Sequence, residues 1–85
     1  MLVTAAVRVL FFARYAELMG REVATIDVTM PATVGDVVRR IRRELPGGAD
    51  LPERPLAALN AEHARLEAAV ADGDEVALLP PIAGG

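Results

Sequence analysis

A chain of 85 residues with a formal net charge of -3 has room for one domain and a single core. Its 53% hydrophobic and 25% charged composition fits a folded protein and argues against disorder, while the negative balance argues against nucleic acid or an anionic membrane as partner. Cysteine is absent, which excludes disulfides, a thiolate nucleophile and Cys-based zinc sites, and serine is absent, which excludes a Ser-based triad. No apolar run approaches a membrane span. The start lacks a basic n-region and its pattern runs directly into the fold, so it reads as a strand rather than a signal peptide, and a cytoplasmic location is expected. All nine basic residues are Arg. No side-chain amine of this protein can therefore accept an isopeptide bond.

In chain order, AAVRVLFF (Ala5–Phe12) predicts a strand, rich in β-branched and aromatic residues. Alternation puts Val7, Val9 and Phe11 on one face and Arg8, Leu10 and Phe12 on the other. A short helix follows in ARYAELMG, with Gly20 placed to end it. EVATIDVT (Glu22–Thr29) alternates again, with Val23, Thr25, Asp27 and Thr29 opposite Ala24, Ile26 and Val28. The spacing of Val34, Val37, Val38, Ile41 and Leu45 predicts an amphipathic helix over Thr33–Leu45. Thr33 is the expected N-cap, with Asp36 near the positive end of the helix dipole. Pro46 and the Gly47–Gly48 pair stop this helix.

Residues 46–55 are loop by composition, and LAALN (Leu56–Asn60) predicts a short strand. Residues 61–70 fit either a helix, from their Ala and Glu content, or a short strand and a turn. Asp72–Asp74 forms a turn into a last strand ending at Leu79, and neither Pro80 nor Pro81 can continue the ladder. Strands around one long helix predict an α+β domain, a mixed sheet with the helix across one face.

No internal active site assembles from these residues. His63 is the only histidine, and no carboxylate stands at a metal-binding spacing from it. Asp72, Asp74 and Glu75 are too few for a calcium loop. PGGAD lacks the Gly-Lys-Ser/Thr end of a phosphate loop. Arg39–Arg43 reads as the solvated face of the helix. The segment PPIAGG (Pro80–Gly85) differs. Two prolines hold it extended and lower the entropy lost on binding. Six extended residues reach roughly 20 Å. Gly84 and Gly85 carry no Cβ, so they can thread a narrow channel and leave a terminal carboxylate open to attack.

VRVLFFARYAELMG, ATVGDVVRRI, LAALN and above all DGDEVALLPPIAGG together resemble the small subunits of molybdopterin synthase, the MoaD-like members of the ubiquitin-like sulfur carrier proteins. The resemblance runs nearly the whole length. It implies a ubiquitin-like β-grasp fold: a mixed sheet of four to five strands covered by one main helix over residues 1–79, then a flexible, extended tail over residues 80–85. It implies that an adenylating enzyme of the ubiquitin-activating type uses ATP to activate the Gly85 carboxylate. A sulfur donor enzyme then supplies the sulfur of a thiocarboxylate. The tail residues Pro80, Pro81, Ile82, Ala83 and Gly84 would enter the large synthase subunit, where sulfur passes to cyclic pyranopterin monophosphate. The chain would bind no cofactor, would not be catalytic by itself, and would dock through Phe12 and Leu79, with Leu10 as a third member. His63 stands where an apolar docking residue would fit. Carriers for thiamine or cysteine synthesis, a ubiquitin-like protein modifier and an interaction domain with an inert tail are the competing expectations.

Overall fold

The computed structural model describes residues 3–81, so the expectations for Ile82, Ala83, Gly84 and Gly85 lie outside the described residues. The two alternating segments form an antiparallel pair, β1 (Thr4–Phe11) and β2 (Val23–Thr29), with Val7 opposite Ile26 and Val9 opposite Ala24. The period of two does what it predicts: Val7, Val9, Phe11, Ala24, Ile26 and Val28 are all buried. Between the strands lies α1 (Arg14–Met19), which buries Tyr15 and Met19 and ends at Gly20 in the left-handed conformation.

After β2 the chain makes the two-residue strand β3 (Ala32–Thr33) and enters α2 (Val34–Glu44). Thr33 is the N-cap: its hydroxyl accepts from the Asp36 N–H at 3.1 Å, and the Asp36 carboxylate accepts from the Thr33 N–H at 2.8 Å. This reciprocal capping box satisfies donors that a helix start leaves unpaired. The N–H groups of Val34 and Gly35 donate instead to the carbonyls of Ala68 and Leu66. Val34, Val37, Val38 and Ile41 are fully buried against the sheet. Arg39 pairs with Asp36 and Arg40 with Glu44 on the solvent side, which makes this the solvated face that the sequence predicts.

Past α2 the chain turns through a 3-10 turn (Gly48–Asp50) and buries Leu51 beneath the helix. Arg42 holds this loop, donating from Nε to the Leu51 carbonyl at 2.8 Å. The strands β4 (Leu56–Leu59) and β5 (Glu62–Ala64) form a hairpin over the two-residue turn Asn60–Ala61, both in the left-handed region. The ambiguous stretch 61–70 is thus strand, then turn, then strand: β6 (Ala69–Val70) pairs with β3, apart from the main sheet. The last strand, β7 (Glu75–Leu79), inserts between β1, to which it is parallel, and β4, to which it is antiparallel. The main sheet has five strands in the order β2-β1-β7-β4-β5, with α2 across its inner face. This is the ubiquitin-like β-grasp.

Candidate docking face and tail exit

The register of the three central strands builds the candidate site. Phe11 lies beside Leu78, and Leu56 lies opposite Leu79. The end of β1, the end of β7 and the start of β4 therefore meet at one end of the sheet, where the chain leaves toward Gly85. Side chains of one parity point inward there, so the next residue of each strand faces out. Leu10, Phe12 and Leu79 all lie on that outer face, as expected from alternation. Phe12 is 45% exposed, and Leu10 and Leu79 are half-buried by their neighbours. A row crosses the sheet beneath them: Val23 opposite Leu10, Leu10 beside Ala77, Ala77 opposite Ala58, and Ala58 opposite His63.

Two members of this face escape a reading of the sequence. Leu56 is 51% exposed and Val23 is 41% exposed. Val23 carried a signal, because it is the one apolar residue on the otherwise polar parity of β2. Leu56 carried none, because both parities of LAAL are apolar. An open groove of about 530 Å³ runs along this end of the sheet beside Leu10, Phe12, Ala13 and Val23. His63, exposed and at the edge of the row, stands on the outer face and touches the apolar half only from its rim.

The outer face is divided. Its far half is polar: Thr25, Asp27, Arg8 and Glu75 face outward there, with Arg8 and Glu75 3.9 Å apart. That end is pinned by a small network. Asn60 donates from Nδ2 to Asp74 at 3.0 Å and accepts from the Glu75 N–H at 2.9 Å, while the Ala71 N–H donates to Asp74 at 2.7 Å. The Asn60 amide, then the Ala71 N–H, hold the Asp74 carboxyl below the usual carboxylate range. Asp36 is lowered too: the Thr33 N–H acts most strongly, burial opposes it as the next largest effect, and the bonds with Arg39 and the Thr33 hydroxyl add to the lowering. Both carboxylates serve structure, at a helix cap and a turn, and neither faces the apolar half. Among the described residues no group of three His, Asp or Glu side chains is placed to hold a metal ion, and no helix is long and apolar enough to cross a membrane.

Pro80 is half-buried and Pro81 exposed at the point of exit. The described chemistry is that of presentation: an apolar surface of exposed aromatic and aliphatic side chains around a chain end that leaves the middle of a sheet. A β-grasp domain with such a face and exit belongs to the ubiquitin-like class.

The ThiS family model matches residues 9–85, and the chain belongs to that family of ubiquitin-like sulfur carriers. It is 34% identical over 82 residues to the human molybdopterin synthase sulfur carrier subunit, covering 93% of each chain. The crystal structure of the small archaeal modifier protein 1 of Haloferax volcanii superposes with a TM-score of 0.81 at 32% identity, covering 92% of this chain and 99% of that one. A protein-protein complex of subunits 1 and 2 of the molybdopterin-converting factor of Helicobacter pylori contains a chain that superposes with a TM-score of 0.65 at 28% identity, covering 94% of this chain and 99% of that one.

Proposed function

We propose that this protein is the sulfur-donating small subunit of a molybdopterin synthase, acting through Gly85. The observation that carries the reading is the coincidence of the apolar half of the open face with the point where β7 ends. A partner seated on Phe12, Leu79, Leu10, Leu56 and Val23 covers the exit and receives whatever follows Pro80. The family match continues through residue 85, so the tail belongs to the matched unit.

The chemistry starts from an unreactive group. A carboxylate is a poor acyl donor at neutral pH, and the adenylating partner supplies ATP to change that. The Gly85 carboxylate attacks the α-phosphorus and pyrophosphate leaves, giving an acyl-adenylate. The terminal sulfur of a persulfide on the donor enzyme then displaces AMP to give an acyl disulfide, and a thiol acting as reductant cleaves its S–S bond, leaving a C-terminal thiocarboxylate on Gly85 and a disulfide on the donor side. In the large subunit this sulfur passes to cyclic pyranopterin monophosphate, and the carboxylate returns when water supplies the oxygen. The partners contribute the nucleotide site and the acid-base groups. This chain contributes the docking face, the reach of Pro80–Ala83 and the unhindered Gly84–Gly85 end. The resemblance of the chain to carriers that work in pairs with a large subunit supports an assembly of this kind.

The test is the mass of the intact protein after incubation with its adenylating enzyme, ATP and a sulfur donor. One exchange of oxygen for sulfur at Gly85 is expected. An unchanged mass under conditions that activate a known carrier refutes the reading. Removing Gly85 should abolish sulfur transfer and leave the melting temperature unchanged. The acceptor separates molybdopterin synthesis from thiamine or cysteine synthesis.

The likeness to the archaeal modifier protein favours one second reading, a protein modifier joined through Gly85 to lysines of its targets. An abundant ladder of high-mass conjugates in cell extract would support it. Since this chain has no lysine, such conjugates would carry single copies and not lysine-linked chains of it.

A further inference from the structure

Arg54, His63 and Arg65 line one groove of about 380 Å³ on the side of the sheet away from β2. The register explains why they converge. Ala57 pairs with Ala64, so the start of β4 and the end of β5 lie side by side. Arg54 stands two residues before β4 and Arg65 directly after β5. Leu56, which also lines the groove, lies opposite Leu79, the last residue of β7. The groove therefore opens beside the tail exit and is continuous with the apolar half of the outer face.

Its charge is unbalanced. Glu67 is the one carboxylate in the lining, and it accepts from Arg54 at 3.3 Å. The two side chains are 73% and 68% exposed, so solvent screens the pair and little holds it together. Arg65 has no ion-pair partner among the described residues. Two guanidinium groups against one carboxylate give local positive charge on a chain whose net charge is -3.

We propose that this groove seats an acidic segment, Asp or Glu side chains, of the same protein that receives the tail. The inference rests on the reading of the tail as a donor and adds the chemistry of its receiver. A guanidinium presents a planar fork that matches a carboxylate, and Arg54 can exchange its exposed bond to Glu67 for one to the partner. A nucleic-acid backbone fits poorly, because it needs an extended basic stripe and this groove offers two arginines in a net acidic chain. Rim charges of this kind act mainly on encounter: they raise the association rate and set orientation, while the apolar half holds the complex once formed. The groove thus orients the carrier so that the exit faces the receiving channel at first contact.

The test is stopped-flow association of the full-length protein with the large synthase subunit of the same organism at about 50 and about 500 mM salt, where exposed charges are weakly and strongly screened. The wild-type rate should fall about tenfold across that range. Arg54→Glu/Arg65→Glu should associate about tenfold more slowly at low salt, and its rate should rise with salt, because like charges then face each other. Arg65→Ala, which breaks no ion pair among the described residues, should show a smaller loss in the same direction. Both positions are exposed, so melting temperatures should not change. A wild-type rate indifferent to salt, or a double variant that associates like the wild type, overturns the assignment. Phe12→Ala separates the two readings, since it should speed dissociation and leave the salt dependence alone. If Phe12→Ala weakens binding and the charge variants do not, only the groove assignment fails. If neither Phe12→Ala nor removal of Gly85 has any effect, the donor reading falls and takes the groove with it.

Discussion

The two faces of one sheet meet different surroundings, and β1 shows the division within a single strand. Val7, Val9 and Phe11 point at α2 and are at most 3% exposed, while Leu10 and Phe12 lie on the opposite face, with Phe12 exposed and Leu10 half-buried. The inner face is closed by the protein's own helix. The outer face is apolar only toward the tail exit and polar toward the Asn60–Asp74 end. An apolar side chain covered by its own chain contributes to folding. The same kind of side chain left open contributes to association, because its surface leaves water only when a partner arrives.

The comparison breaks most visibly on the inner face. Ile41 is fully buried between α2 and the sheet. Ile41→Ala should cost about 2–5 kcal/mol of stability, a large part of what a domain this small possesses. Chemical denaturation should show a lower midpoint, and partner affinity should stay near wild type wherever the variant is folded. The mirror experiment on the outer face is Phe12→Ala. With Phe12 already 45% exposed, truncation should cost under about 1 kcal/mol of stability. Calorimetric titration with the large subunit should instead show a loss of about 2 kcal/mol, as for a buried aromatic anchor. If the two variants moved the same observable, the division of labour between the faces would be wrong.

A third, smaller effect belongs to the cap that fixes α2 over the inner face. The Thr33 N–H and its companions keep Asp36 ionised, so its folded pKa lies below the unfolded value of about 3.9. A lowered carboxyl pKa stabilises the fold above the unfolded pKa, and that contribution is lost as pH falls through the folded one. Asp36→Asn should therefore cost about 1 kcal/mol near neutral pH, allowing for its partial exposure. The melting-temperature gap to wild type should close as the pH is taken below about 4. A gap that persists in acid would assign the cost to shape and not to charge.

Much of this was legible in the sequence, for reasons that also mark the limits. The period of two in Val7–Phe11 and Ala24–Val28 gave faces as well as strands. The spacing Val34, Val37, Val38, Ile41, with Thr33 and Asp36 at the front, gave α2 within a residue at each end. Phe12 and Leu79 could be assigned outward by parity alone. The β3–β6 ladder was not legible, because each partner is two residues long and the pairing joins Ala32 to Val70. Local periodicity has no purchase on such a contact. Gly47 and Gly48 read as a helix stop, yet they also permit close approach. A Cβ on Gly48 would fall on the Ile41 carbonyl, and one on Gly47 would fall on the Leu18 carbonyl. The Arg54–His63–Arg65 groove needs the register of β4 and β5, which the ambiguous composition of 61–70 concealed.

The smallest expected effect sharpens the comparison from the polar end of the outer face. Asn60 and Ala61 form the β4–β5 turn with φ of 49° and 72°. Asn tolerates this region, since its side chain bonds locally, and here it ties the turn to Asp74 and Glu75. Ala61 does not, and a glycine is what a two-residue turn with both φ positive prefers at that place. Ala61→Gly should relieve the strain at the cost of a more flexible unfolded chain, with a net gain of about 0.5–1 kcal/mol. The Ala61 side chain is exposed, so no packing is lost. Thermal unfolding should show a rise of a few degrees, about what that gain produces in a domain of this size. Affinity for the large subunit should be unchanged, because the turn lies at the end of β4 away from Leu56 and the tail exit. A change in affinity without a change in melting temperature would move the docking face to the wrong end of the sheet.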